Sequence, residues 1–197
     1  MTPRDDDSIL QASLAAVRCL IDTQGSAGVV ELAAAAGVSR RTWHRYFPAK
    51  EDLIRPTFRD AGEVVLRAVA EREPTTSIVD AWVSGFSMSA GGLFTERTRG
   101  LMPLIVRSSS LSAVLDNEGA LMAARLREEI ARQTSSSSDA DDLAAALATT
   151  LVALSIAALR DAVTAPEPPH VILRRRIAAL RLAETIPSVP TGERRTR

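Results

Sequence analysis

A single cysteine, Cys19, stands in 197 residues, so neither an internal disulfide nor a multi-cysteine metal site is available. On an apolar helix face Cys19 reads as a small core residue rather than a redox sensor. Histidines number 2, and His170, which follows Pro168 and Pro169 with no Cys, His or carboxylate cluster beside it, makes a poor ligand or base. Glycine-rich phosphate loops, nucleophile motifs and metal-ligand spacings are missing. No catalytic residue, metal or cofactor is therefore expected, and an enzyme is not. Net charge is +0, from 24 basic and 24 acidic residues, which removes any general attraction to nucleic acid; affinity for DNA has to come from where charges sit. Met1 to Asp7 carries one Arg and three Asp, unlike the basic start and apolar run of a signal peptide. The stretch 143–159 is uncharged, but it is short for a bilayer and half Ala, Thr and Ser. It reads as a buried helix, so the chain is expected in the cytoplasm and off the membrane.

What is present is a globular composition, with 46% hydrophobic and 24% charged residues, in a chain long enough to bury a core without staples. Strand-like alternation is absent and Ala and Leu dominate, which predicts an all-α fold. The first helix is expected from Ile9, capped by Ser8 with Asp5 to Asp7 against its positive end, and stopped by Gly25. Val29 to Ala36 forms a second, and Arg40 to Tyr46, capped by Ser39, a third. A fourth is expected from Ala49 to Arg72 with Pro56 inside it, where the missing N–H and the ring crowding Asp52 predict a kink or local loosening. Further helices are expected over 76–90, 93–107, 111–133, 139–165 and 171–185. The division implied is a helix-turn-helix domain over 1–54, a larger helical domain over 55–186 and a disordered tail over 187–197.

Function concentrates in VVELAAAAGVSRRTWHRYF, residues 29–47. Two short helices joined by a tight turn containing Gly37 make a helix-turn-helix pattern. Ala33 and Ala34 are small enough for close helix approach, and Val38 and Trp43 are apolar anchors. The outward face of the third helix then carries Arg40, Arg41, Thr42, His44 and Arg45, with Tyr46 and Lys50 beyond. Lys50 is the one lysine among the 24 basic residues, and Ser39 to Lys50 holds four Lys or Arg and no acidic residue. In a neutral protein that local excess is the footprint of a DNA-reading element. A solvated basic helix in a bundle is the bland alternative; the small-residue turn and the cap argue against it.

The stretch AAAAGVSRRTWHRYFPAKEDL, Ala33 to Leu53, resembles the helix-turn-helix of the TetR family of regulators. Ala33, Ala36, Gly37, Val38, Ser39, Thr42, Tyr46, Phe47, Pro48, Lys50, Glu51 and Leu53 match the family pattern. The resemblance implies that Arg40, Arg41 and His44 face base edges in the major groove, with Arg able to make two hydrogen bonds to a guanine. It implies that Thr42, Tyr46 and Lys50 hold phosphates and set register, with Ser39 and Arg45 on the same surface. Two departures stand out. Ala27, Gly28, Val29 and Val30 occupy the start of the second helix, where the family has Thr or Ser followed by a polar residue; Ser26 is a candidate substitute cap. His44 stands where Tyr is common, which leaves base reading and phosphate or solvent contact both open.

Trp82, Phe86, Met88, Leu93, Phe94, Met102 and Leu104 gather bulky apolar side chains in mid-chain. As a group they are candidates for lining an effector pocket, against plain core packing, and the ligand expected is small and largely apolar. Residues 139–165 are apolar all round, so one side is expected to meet a second copy. Together with Leu173, Ile177 and Leu180 they predict a homodimer through the last two helices. The reading is a regulator, a repressor in its expected action, binding palindromic double-stranded operator DNA and released by an apolar effector. A regulator controlled by a protein partner or acting constitutively is the alternative, and a helical enzyme or scaffold with an incidental helix-turn-helix is a third class.

Overall fold

The computed structural model describes residues 3–91, 100–133 and 138–183, and every regular element among them is helical. In chain order these are α1 (Pro3–Asp22), α2 (Val29–Ala35), α3 (Arg40–Tyr46), a 3-10 turn (Lys50–Ile54), α4 (Arg55–Ala70), α5 (Ile78–Gly91), α6 (Leu101–Arg107), α7 (Ser109–Gln133), α8 (Ser138–Asp161) and α9 (Pro169–Ala183). Residues 92–99, where a helix start was expected, and the tail at 187–197 lie outside the described residues.

Several boundaries differ from expectation for local reasons. α1 begins at Pro3, so Ser8 lies inside the helix instead of capping it; a proline is well tolerated in a first turn, where its N–H would have no partner. The fourth helix does not start at Ala49. Asp52 accepts the Ala49 N–H at 2.8 Å and turns the chain in a 3-10 helix, and α4 starts afresh at Arg55. Pro56 therefore falls in the first turn of α4, not two turns inside a helix. Its missing donor costs nothing there, and the break lies before it.

Two apolar clusters organise the chain. The first joins Val17 and Leu20 of α1, Leu32 of α2, Trp43 of α3, and Phe47, Leu53 and Ile54 to Leu104 and Ile105 of α6 and Leu111 and Leu115 of α7. The second is built from Val65 and Val69 of α4, Trp82 and Phe86 of α5, Leu126 and Ile130 of α7, Leu151 of α8, and Leu173 and Ile177 of α9. α7 thus contributes to both cores. Buried Ser13 donates to the Leu53 carbonyl at 2.6 Å and meets the Thr57 hydroxyl at 2.8 Å, which pins α1 to the start of α4. α4 and α5 cross so closely that a Cβ at Gly85 would lie 2.8 Å from Ala68 Cβ and 2.9 Å from Val65 Cα.

α8 is long and apolar enough to span a membrane. Its Ala144, Ala148, Leu151, Val152, Ser155 and Ala158 form one side buried in the bundle, about 33% of its most apolar stretch. Leu151 lies in the protomer's own core, at 2% exposure.

Candidate nucleic-acid interface and effector cavity

α2 ends in two reverse hydrogen bonds, from the Val38 N–H to the Ala33 carbonyl and from the Gly37 N–H to the Ala34 carbonyl, each 3.0 Å. That closure places Gly37 at φ +68° with nothing within 4 Å of a would-be Cβ. The demand for glycine is thus conformational, worth roughly 1–2 kcal/mol against other residues. Ser39 follows as the cap of α3: its Oγ accepts the Thr42 N–H at 3.1 Å and its hydroxyl donates to Thr42 Oγ1 at 3.0 Å. Trp43 and Phe47 point inward, fully buried, with ring centroids 4.7 Å apart. Ala33 is buried as expected of a crossing point, whereas Ala34 is exposed and plays no part in it.

With Trp43 fixed inward, helical spacing turns Arg40, Arg41, His44 and Arg45 to solvent, and all are exposed together with Ser39. Thr42 and Tyr46 are half-buried at the edge, and the Arg45 guanidinium lies 5.2 Å from the centroid of the Tyr46 ring. Seven of the eight candidate residues thus lie on α3 and its cap, between Ser39 and Tyr46. Lys50 is half-buried in the first turn of the 3-10 helix, not of α4, and its Nζ donates to the Gly25 carbonyl at 3.1 Å. At the start of α2 the cap is Gly28, whose N–H donates to the Glu31 carboxylate at 2.7 Å. Ser26, offered as the substitute cap, instead donates to the Thr23 carbonyl at 2.8 Å.

A cavity of about 100 Å³ opens between α4, α5, α7 and α8. Trp82 and Phe86 line it, and Trp82 Nε1 donates to Ser155 Oγ at 3.0 Å. The other pocket candidates do not join them. Met88 is 57% exposed, Met102 packs half-buried against the N-terminal cluster, and Leu104 lines a separate cleft beside Lys50 and Arg107. Leu93 and Phe94 lie outside the described residues. The sequence reading missed Phe58, Gly62 and Met122 in the lining, and above all Glu118. Glu118 is a charged residue in a wall expected to be apolar, with its side chain 6% exposed. It is tolerated because Arg55 and Arg59 both pair with it, at 2.6 and 2.8 Å, and unpaired burial would be costly. Glu118 lies on a helix whose charges look solvated in sequence, so no local signal marks it.

Burial pushes the Asp52 carboxyl up, but the Arg55 hydrogen bond, the Ala49 N–H and the Arg55 and Arg59 charges outweigh it and hold it below the usual range. Glu63 is likewise held low, first by its hydrogen bond from Arg125, against the opposing effect of burial. A depressed folded-state carboxyl contributes stability above its unfolded value, and that contribution disappears as pH falls through the folded value. The melting difference between the native protein and Asp52→Asn should therefore be constant from neutral pH to about 5 and shrink below about pH 4. A difference that widens on acidification, measured by circular dichroism, would contradict this assignment.

Residues 14–56 match the family described as bacterial regulatory proteins, tetR family. Over 71 residues the chain is 37% identical to the HTH-type transcriptional repressor LfrR of Mycolicibacterium smegmatis, a match spanning 36% of this chain and 38% of that protein. The whole fold is similar to that of Thermus thermophilus FadR, a TetR family transcriptional repressor solved with lauroyl-CoA, at TM-score 0.56 and 20% identity over 95% of this chain and 98% of that one. It is also similar to the multidrug binding protein EbrR complexed with imidazole, at TM-score 0.52 and 20% identity over 96% and 99% of the two chains.

Proposed function

We propose that this chain is a member of the TetR family of bacterial regulatory proteins, which its residues 14–56 match, and that it is a cytoplasmic transcriptional repressor that binds operator DNA as a homodimer and is released by a small, largely apolar effector. The observation that carries the reading is the basic face of α3, built on a buried Trp43 and Phe47 and free of carboxylates from Ser39 to Lys50. On this reading Arg40, Arg41 and His44 meet base edges, and Thr42, Tyr46 and Lys50 hold phosphates. Nuclease protection of DNA flanking the protein's own gene tests the reading. A protected stretch with two-fold symmetry is expected, and absence of protection at micromolar protein would contradict it.

The dimer is assigned to α8 and α9, where Leu143 and Leu180 are 67% and 49% exposed. Large apolar side chains left in water at the ends of two adjacent helices suit a four-helix contact with a symmetry mate. The double variant Leu143→Glu, Leu180→Glu is expected to sediment as a folded monomer where the native protein sediments as a dimer. Leu151→Glu is a different experiment, because Leu151 lies inside the protomer and its replacement breaks the core. A native protein that is monomeric at micromolar concentration would overturn the interface.

The effector reading rests on the cavity lined by Trp82 and Phe86. Its volume, about 100 Å³, is below the roughly 300 Å³ of common ligand sites, so the occupant is small or displaces Met122 and Phe58. That small volume also favours the second reading, a regulator without a small-molecule effector. A melting shift and a change in Trp82 fluorescence with small apolar compounds separate the two.

A further inference from the structure

Glu118 ties the cavity wall to the 3-10 turn that follows α3. Its Oε1 accepts from Arg55 Nη1 at 2.6 Å and from Arg59 Nη2 at 3.1 Å, and its Oε2 accepts from Arg59 Nε at 2.8 Å. Arg55 also donates from Nε to Asp52 Oδ1 at 2.7 Å, and Asp52 Oδ2 accepts the Ala49 N–H at 2.8 Å. Ala49 lies two residues beyond Phe47, which caps α3. Charged hydrogen bonds thus run without a gap from a cavity-lining carboxylate on α7, through the first turn of α4, to the turn that carries Lys50.

We propose that Glu118 is the positioning residue through which the cavity governs the reading head: it fixes Arg55, and through Arg55 the Asp52 carboxylate and the 3-10 turn that follows α3. The two arginines have different roles. Arg59 has a side chain 54% exposed and can swing into water, whereas Arg55, at 27%, is held on three sides by Asp52, Asn117 and Glu118. A carboxylate this buried does not remain without a cation. A molecule in the cavity that shifts Glu118 must therefore drag or release Arg55, which gives the arrangement two states rather than a graded response. The identity of the trigger rests on the effector reading above, while the linkage itself does not.

Amide hydrogen exchange on the full chain tests the linkage without DNA or effector. The comparison is the native protein, Glu118→Gln and Glu63→Gln. Glu63 also pairs α4 with α7, its Oε2 accepting from Arg125 Nη2 at 2.9 Å, but both side chains are about half exposed and neither reaches Asp52. In Glu118→Gln the Ala49 amide should exchange about tenfold faster, the loss expected for one charge-assisted hydrogen bond. Amides of α8 around Leu151 should stay as in the native protein, and Glu63→Gln should leave Ala49 unchanged. An unaltered Ala49 amide in Glu118→Gln, or equal acceleration in both variants, would overturn the proposal. If Glu118→Gln does not fold, Arg55→Lys, which keeps the charge but loses the fork, is read by the same two outcomes. Failure here leaves the repressor reading intact, and absence of operator binding would leave the linkage intact.

Discussion

Replacing Arg40 and Arg41 together by alanine should lower affinity for the cognate operator by two to three orders of magnitude and flatten the preference among sequences. Both side chains are exposed on the outward face of α3, while Trp43 between them and Tyr46 is buried, so truncating them removes contacts without disturbing the core. Each bidentate arginine–guanine pair is worth about 1–3 kcal/mol of discrimination. Lys50→Ala should act differently. Its loss should weaken binding to all sequences alike and reduce the salt dependence by about one ion. The structure adds that Lys50 Nζ is already held by the Gly25 carbonyl. That hydrogen bond restricts the ammonium before DNA arrives, so part of its ordering entropy is already spent. Equal losses on cognate and random DNA for the double arginine variant, measured by fluorescence anisotropy, would show that α3 carries charge but does not read bases.

The largest effect on stability is expected at Gly85. The atoms a new Cβ would meet at 2.8 and 2.9 Å are Ala68 Cβ and Val65 Cα, parts of the α4 backbone and its nearest branch, which cannot rotate away. Gly85→Val should therefore force α4 and α5 apart, at a cost at or above the upper end of the roughly 1–3 kcal/mol typical of overpacking. For a chain of this size that is a fall in Tm of about 6–12 °C. Gly119→Ala is a useful contrast. The atom a Cβ would meet there, at 2.3 Å, is Ile156 Cδ1, the far end of a side chain that can repack, so the loss should be smaller. A Gly85→Val protein melting within a degree or two of the native one would mean the helices do not cross as described.

The helix-turn-helix was legible in the sequence because its features are local. A glycine turn, a serine cap three residues before Thr42, and a tryptophan among basic residues each have one dominant structural meaning. The helical class followed for the same reason. Three features of the remainder were not legible. The break between the 3-10 turn and α4 depends on Asp52 being held by Arg55 and Ala49, and a helical pattern continues through it in sequence. The cavity residues come from four helices, so the mid-chain apolar group that looked like a lining was divided by packing: Trp82 and Phe86 went inward and Met88 outward. Glu118 became a buried charge only because arginines 63 and 59 positions earlier meet it, a long-range pairing that no periodicity displays.

The most direct test of the central claim, that α3 reads DNA sequence, is selection of binding sites from a random pool of duplex DNA by the native protein and by the double variant Arg40→Ala, Arg41→Ala. The account predicts that the native protein enriches an inverted repeat whose half-sites lie about one helical turn, roughly 34–36 Å, apart or a multiple of it, and that the variant enriches no defined sequence while still retaining weak, salt-sensitive binding. Enrichment of the same repeat by the variant, or of no sequence by the native protein, would contradict it.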